Sequence, residues 1–226
     1  MQFNIITIFP KIFDSYFNES IIKRAQNNNL ININICNLRD WTNDKHKTVD
    51  DTPYGGGAGM VMMVEPLYQA LQSLKTQINS KYQNKKSKII LLSAKGKQWN
   101  QQMAQEYSEL DSITMICGRY EGVDERIINF IDEEISIGNY VLTGGEIGAL
   151  TIVDSVTRLL PGALGNQESS IDESHSTSGE LEYPQYTKPE IFIANNKEYK
   201  VPEILLSGHH KKISEWREKM KKKTKK

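Results

Sequence analysis

The sequence predicts an α/β fold with a parallel sheet, and three observations carry that prediction. Short β-type runs alternate with segments of helical periodicity along most of the chain. Three strand-helix units follow one another in close succession from Ile89, the arrangement of a parallel sheet with covered faces. The second and third strands break into glycine-bearing loops, which hold six of the fifteen glycines between Gly118 and Gly148. Two such breaks in succession suggest a pocket built from backbone at the ends of adjacent strands.

Taken in order, Phe3 to Phe9 is a first β-type run, and Pro10 suits the opening position of a following helix. Ile12, Phe13, Tyr16, Phe17, Ile21 and Ile22 then recur at helical spacing. Ile31, Ile33 and Ile35 alternate with asparagine, the period of a half-buried strand. Leu38 to Thr52 is polar and irregular and leads into Gly55-Gly56-Gly57-Ala58-Gly59. Glu65-Pro66 opens a helix with Leu67, Ala70, Leu71 and Leu74 on one face, and polar Thr76 to Lys88 reads as an exposed loop.

The three units come next. Strand Ile89–Leu92 leads to loop Ser93–Lys97 and helix Trp99–Tyr107; strand Ile113–Cys117 to loop Gly118–Gly122 and helix Asp124–Phe130. Strand Glu134–Ile137 leads to loop Gly138–Gly144 and a helix through Leu160, ended by Pro161-Gly162. Asn166 to Gly179 is Ser-, Glu- and Asp-rich with little to bury, so mobility or ordering on binding is expected. Glu182 to Pro202, with three prolines, reads as a linker, and Ile204 to Met220 as a final helical segment. The expected domains are 1–161, a linker over 162–190 and a short helical region over 191–226.

At 226 residues the chain can bury a real core, and 38% hydrophobic with 25% charged residues is ordinary for a globular protein. The first ten residues lack a basic flank and a small-residue cleavage site, and no apolar run approaches a membrane span. Cys36 and Cys117, both in strand-like stretches, support a reducing compartment and no disulfide framework. His46, His175, His209 and His210 have no metal-ligand spacing, and the last two suit the start of a surface helix. The formal net charge of zero conceals a polarity: Lys211 to Lys226 holds nine Lys/Arg against two Glu, a net of +7 balanced by −7 elsewhere. Such a tail is either an electrostatic handle for phosphates or a solvated helix end.

The glycine loops fit neither standard nucleotide fingerprint. The 55–60 cluster lacks the dinucleotide spacing, and no Gly-Lys-Ser/Thr follows. The motifs instead resemble the bacterial tRNA (guanine-N1)-methyltransferases of the SPOUT superfamily. They are Thr48 to Met60 (TVDDTPYGGGAGM), Leu92 to Gly96 (LSAKG), Cys117 to Arg126 (CGRYEGVDER) and Ser136 to Glu146 (SIGNYVLTGGE). Asp154 to Arg158 (DSVTR), Tyr183 to Pro189 (YPQYTKP) and Val201 to His210 (VPEILLSGHH) complete the series, in the family's order over nearly the whole chain.

The resemblance implies a parallel-sheet domain whose C-terminal part forms a trefoil knot, then a small helical domain, truncated here. It implies S-adenosylmethionine held among the knot loops by Leu92, Ser93, Gly96, Gly118, Tyr120, Glu121, Ile137, Gly138, Asn139, Tyr140, Val141, Leu142, Gly144 and Gly145. Main-chain groups can read an adenine edge there, with Ile137, Val141 and Leu142 as apolar walls. It further implies a cytoplasmic homodimer that shares its active site between subunits and methylates N1 of the guanosine just 3′ of the tRNA anticodon. The substrate base must leave its stack to be reached.

Guanine N1 carries a proton, so a carboxylate must accept it as the methyl arrives, and a cation near O6 stabilises the developing charge. By resemblance Arg158 is the cation. The family's usual Asp-Ser-Phe stands here as Glu173-Ser174-His175, which makes Glu173 the candidate base and Asp172 its alternative. Asp50 matches a position near the preceding guanosine. Trp216-Arg217 matches the start of the tRNA-gripping helical domain, which the chain replaces beyond Lys221 with a lysine run. Two rival readings stay open: a knotted methyltransferase acting on another RNA, and a catalytically weakened tRNA-binding relative.

Overall fold

The computed structural model describes residues 1–81 (backbone only over 77–81), 86–165, 174–175 and 179–223. Strand β1 (Gln2–Thr7) buries side chains of both parities, as a strand covered on both faces must. It pairs with β2 (Asn32–Asn37) on one side and β6 (Ser112–Cys117) on the other. With β5 (Ser87–Gln98) and β7 (Glu133–Ser136) the order across the sheet is β2-β1-β6-β5-β7, every pairing parallel.

The strand period of two sorts the core into two layers. Phe3, Ile5, Ile90, Ile113 and Met115 face helices α1 (Asp14–Phe17), α2 (Ser20–Asn27), α4 (Gln101–Ser108) and α5 (Glu146–Thr157). These supply Phe17, Ile22, Met103, Tyr107, Ile152 and Val156. On the opposite face Ile6, Leu91 and Ile116 meet α3 (Val64–Lys81) through Leu67, Ala70, Leu71 and Leu74. Each large side chain buried this way stabilises the fold by about 1.5–3 kcal/mol. The second face also carries a polar row set by register. Asn34 donates to Asn4 (3.3 Å), which donates to Thr114 (3.3 Å) and Ser112 (3.4 Å), so the buried amide of Asn4 is satisfied.

Several elements differ from expectation. The predicted loop 76–88 is helical to Lys81, as the continuation of α3. The predicted loop Ser93–Lys97 is strand throughout, with pairing to β7 interrupted between Leu92 and Lys97. The predicted helix Asp124–Phe130 is a 3-10 turn over Glu125–Phe130, capped by the Asp124 side chain. The predicted linker holds a hairpin, β9 (Ile191–Ala194) and β10 (Lys197–Lys200). Its Asn195-Asn196 turn has both residues at positive φ, the geometry a two-residue hairpin prefers. Of the segment 166–179, only 174–175 and 179 are among the described residues.

The chain divides into two compact units, Met1–Gly165 and Asn166–Lys226. The second contains the hairpin, a short antiparallel pair of β8 (Glu180–Leu181) with β11 (Lys222–Lys223), α6 (Glu203–Leu206) and α7 (His210–Met220). Within it Tyr186 packs near Trp216, and the Arg217 guanidinium lies over the Tyr183 ring.

In the first unit, the bend of β5 permits its second half to press on β7. A β-carbon at Gly96 would lie 2.4 Å from the Ile135 nitrogen and 2.5 Å from the Glu134 carbonyl carbon. Backbone cannot move aside as a side chain can. Gly96→Ala is expected to lower stability by about 1–3 kcal/mol, while Gln105→Ala on the exposed face of α4 stays within about 0.5 kcal/mol. Urea denaturation of both variants checks this, and equal stabilities would contradict the packing.

Candidate active site at the strand ends

Parallel pairing sets the bend in β5 between Leu92 and Lys97 beside the C-terminal ends of β6 and β7, so three segments, that bend and the loops after β6 and β7, converge. They enclose a cavity of about 280 Å³, near the small end of the range for ligand clefts, roughly 300–1,000 Å³. Leu92 and Ser93 line it from the bend of β5, the first of these segments, and Gly118, Tyr120 and Glu121 from the second. Ile137, Gly138, Tyr140, Val141, Leu142, Gly144 and Gly145 line it from the third. Twelve of the fourteen residues expected to hold a cofactor thus surround one space. Gly96 faces β7, and Asn139 is exposed outside the lining.

Where the second and third loops meet, they approach too closely for a side chain at Gly145. Gly145 N–H donates to the Gly118 carbonyl (2.9 Å), and a β-carbon at Gly145 would stand 2.8 Å from the Cys117 α-carbon. Apolar side chains stand at the rim: Val141 is 88% exposed, and Tyr140 and Leu142 are also exposed. Main-chain polar groups beside an exposed apolar rim can offer a flat heteroaromatic ring both edge hydrogen bonds and faces to pack on.

The site also uses residues that sequence reasoning passed over. Arg119 places Nε and Nη2 on the Glu146 carboxylate, each at 2.9 Å, with Glu146 only 1% exposed. Thr7, at the end of β1, donates to the same carboxylate (2.8 Å). An acid at the first position of a helix, just after Gly144-Gly145, was the available signal, since the helix dipole favours it there. Losing one partner of such a buried pair costs about 3–5 kcal/mol.

Asp50 lies in β3 (Asp50–Asp51), which pairs with β4 (Val61–Met62) to form the hairpin bearing the first glycine cluster. That hairpin attaches to the second cavity loop: Glu121 N–H donates to the Met60 carbonyl (3.0 Å) and Met62 N–H to that of Gly122 (2.9 Å). Tyr120 holds a left-handed φ of 60°, rare for a bulky residue. Burial, then its hydrogen bond to Asp50, pushes its phenol up. Asp50 therefore stands against a cavity residue without lining the cavity. Cys117 is fully buried, and burial, then the charge of Glu146, raises its thiol well above the usual range, so no thiolate serves the site. Among the described residues no His, Cys, Asp or Glu cluster could hold a metal.

Arg158 caps the C-terminal end of α5 and does not line the cavity, which sits at that helix's other end. The twelve residues of α5 separate the two by about 18 Å. Glu173 and Asp172 lie outside the described residues. One turn before Arg158, Asp154 accepts a short hydrogen bond from Tyr16, tying α5 to α1.

The chain is similar to known proteins over nearly its whole length. The family described as tRNA (Guanine-1)-methyltransferase TrmD matches residues 1–226. A tRNA (guanine-N(1)-)-methyltransferase of Ruminiclostridium cellulolyticum is 50% identical over 218 residues, covering 96% of this chain and 89% of its own. That of Dictyoglomus turgidum is 52% identical over 219 residues, covering 97% and 84%. The crystal structure of tRNA (m1G37) methyltransferase from Aquifex aeolicus superposes with a TM-score of 0.77 at 37% identity, over 96% of this chain and 87% of that one.

The Tyr16–Asp154 bond is open to a direct check. The hydrogen bond to Asp154, with burial and that residue's charge, pushes the Tyr16 phenol up to about 12. A raised phenol stabilises the fold below its ordinary value near 10, and the contribution is lost as pH rises through about 12. Ultraviolet difference titration, wild type minus Tyr16→Phe, should show that ionisation near pH 12. Asp154→Asn should move it towards 10; an unmoved transition would refute the pairing.

Proposed function

The chain belongs to the tRNA (guanine-1)-methyltransferase family, and from that premise we infer that it transfers a methyl group from S-adenosylmethionine to N1 of the guanosine immediately 3′ of the tRNA anticodon. The observation that carries this is convergence. Three family motifs, around Leu92, Gly118 and Ile137, are far apart in sequence and line one cavity.

The twelve lining residues bind the methyl donor in this reading, with Gly96 shaping the bend of β5 from behind. The donor supplies an activated methyl, and the protein's part is to hold it and to manage one proton. Glu173 takes the proton from guanine N1, with Asp172 as the alternative base. Arg158 faces O6 and stabilises the charge that gathers there. Asp50, held by Tyr120 at the cavity edge, accepts from the guanosine preceding the target. Asn166–Lys226, with its lysine-rich end, grips the tRNA backbone, an interaction that weakens steeply with salt.

We propose that the active unit is a homodimer, on two supports. Phe9, Ile12, Tyr16 and Ile147 expose apolar surface at 45%, 38%, 44% and 51% on neighbouring elements, the kind of patch that a second copy covers. Moreover, Arg158 and the cavity are most of a helix apart in one protomer, so a partner's Arg158 must complete the site. The trefoil knot belongs to the same reading. Its support is the segment 137–148, which packs against both Leu92 and the Cys117-Gly118 strand end, and the likeness to a solved relative. A cytoplasmic setting suits both the tRNA and the two free cysteines.

Two transcripts test the reaction, one with the anticodon-adjacent guanosine and one with adenosine there. Label from the methyl donor should enter only the first. Equal labelling of both would sink the site assignment, and tRNA binding without labelling would mark an inactive relative. In the same assay Glu173→Gln should lower kcat at least about 100-fold and Asp172→Asn less than tenfold. The reverse ranking would make Asp172 the base.

A further inference from the structure

Three separate stretches of chain meet at one buried carboxylate beside the cavity. Glu146, in the first turn of α5, accepts from the Thr7 hydroxyl at 2.8 Å and from Arg119 Nε and Nη2 at 2.9 Å. Arg119 belongs to the loop after β6, and its Nη1 donates to the Thr143 carbonyl in the loop after β7 at 3.1 Å. The Thr7 hydroxyl also accepts from Phe9 N–H at 2.9 Å, and the Phe9 ring lies against the guanidinium, 4.8 Å from its centroid. The third loop is shaped around this group: a β-carbon at Gly144 would stand 2.2 Å from Arg119 Nε.

We propose that Glu146 is a positioning residue for the methyl-donor site, acting through Arg119 and Thr7 to set the spacing of the two glycine loops. It does not line the cavity itself. A guanidinium is needed because it is planar and presents several donors in fixed directions. It grips the carboxylate with one edge while its third nitrogen holds Thr143, one residue before the glycine pair. The Gly145-to-Gly118 backbone bond then closes the loops at the geometry that the ion pair fixes. The carboxylate's negative charge holds this arrangement, and an uncharged amide keeps its shape without that hold. Loosened loops bind the donor less tightly, whereas the tRNA-facing groups and the proton-accepting carboxylate lie elsewhere in the chain. The defect should therefore fall on donor affinity.

This inference rests on the reading that the cavity holds the methyl donor, and the experiment keeps the two apart. Binding of S-adenosylhomocysteine is measured by calorimetry for wild type, Leu142→Asp, Glu146→Gln and Arg119→Lys, beside steady-state kinetics and tRNA binding. Leu142→Asp should abolish binding if the cavity is the site; full binding by that variant would overturn the underlying reading. Glu146→Gln and Arg119→Lys should each raise Kd for S-adenosylhomocysteine and KM for the donor at least tenfold. Their kcat at saturating donor and their tRNA affinity should stay within threefold of wild type. An unchanged Kd, or a fall in kcat without a rise in KM, overturns the role of Glu146. Should Glu146→Gln fail to fold, Thr7→Val and Thr7→Ser decide the matter. Loss of affinity in the first and its recovery in the second supports the proposal, and wild-type affinity in both overturns it.

Discussion

The close approach of main chain to main chain at Gly145 and Gly118 is the constraint on which the candidate site depends. A parallel sheet ends its strands on one side, but it does not by itself bring the loops beyond them into contact. Here a backbone hydrogen bond joins two loops directly, at a separation that admits no β-carbon at Gly145. The cost of that geometry is an ordered glycine at 145, with its large conformational entropy in the unfolded chain. The buried Arg119–Glu146 pair offsets it by tying the same loops through side chains. Neither device would serve a core whose only task was to stay folded, where apolar packing of similar volume does as well or better.

The same constraint explains how the site divides its labour. The cavity offers backbone groups and apolar surface among its lining, which suit recognition of a nucleoside, and no thiolate, since burial raises the Cys117 thiol well above its usual range. A methyl on sulfonium needs no further activation from the protein, so a binding site without nucleophiles is chemically sufficient. The candidate cation Arg158 is not among the residues that line it and stands at the far end of α5. In the proposed homodimer, assembly across the exposed Phe9, Ile12, Tyr16 and Ile147 face would bring the partner's Arg158 to the cavity. Tyr16 joins that face to the helix carrying Arg158 through its bond to Asp154.

The sheet and its helices were legible in the sequence where periodicity and burial coincide. Phe3 to Thr7 and Ile113 to Cys117 are apolar at both parities, and the α3 positions Leu67, Ala70, Leu71 and Leu74 repeat on one face; the structure buries all of them there. Legibility failed where tertiary contact overrides local preference. Ser93 to Lys97 reads as a loop, yet pairing across to Ile135 and Ser136 extends β5 through it. The end of α3, from Thr76, is mostly polar in sequence and lacks the apolar repeat that would announce a helix. In the site, the glycines and their apolar companions could be named from motifs, because a pattern of small residues survives in one dimension. The network of Thr7, Arg119 and Glu146 could not, since its members are up to 139 positions apart and only the fold makes them neighbours. The strand order, with β7 beside β5 and β1 beside β6, is likewise a product of three dimensions.

Amide hydrogen exchange with and without S-adenosylhomocysteine tests most directly whether the joined glycine loops are the donor site. A second cavity, lined by residues such as Leu71, Lys75, Thr114, Phe130 and Asp132, provides the internal contrast. The account predicts that ligand slows exchange in peptides covering 118–122 and 137–145, with no change over 71–75 and 129–132. Protection confined to the second cavity, with exchange at 118–122 and 137–145 unaltered, would contradict it.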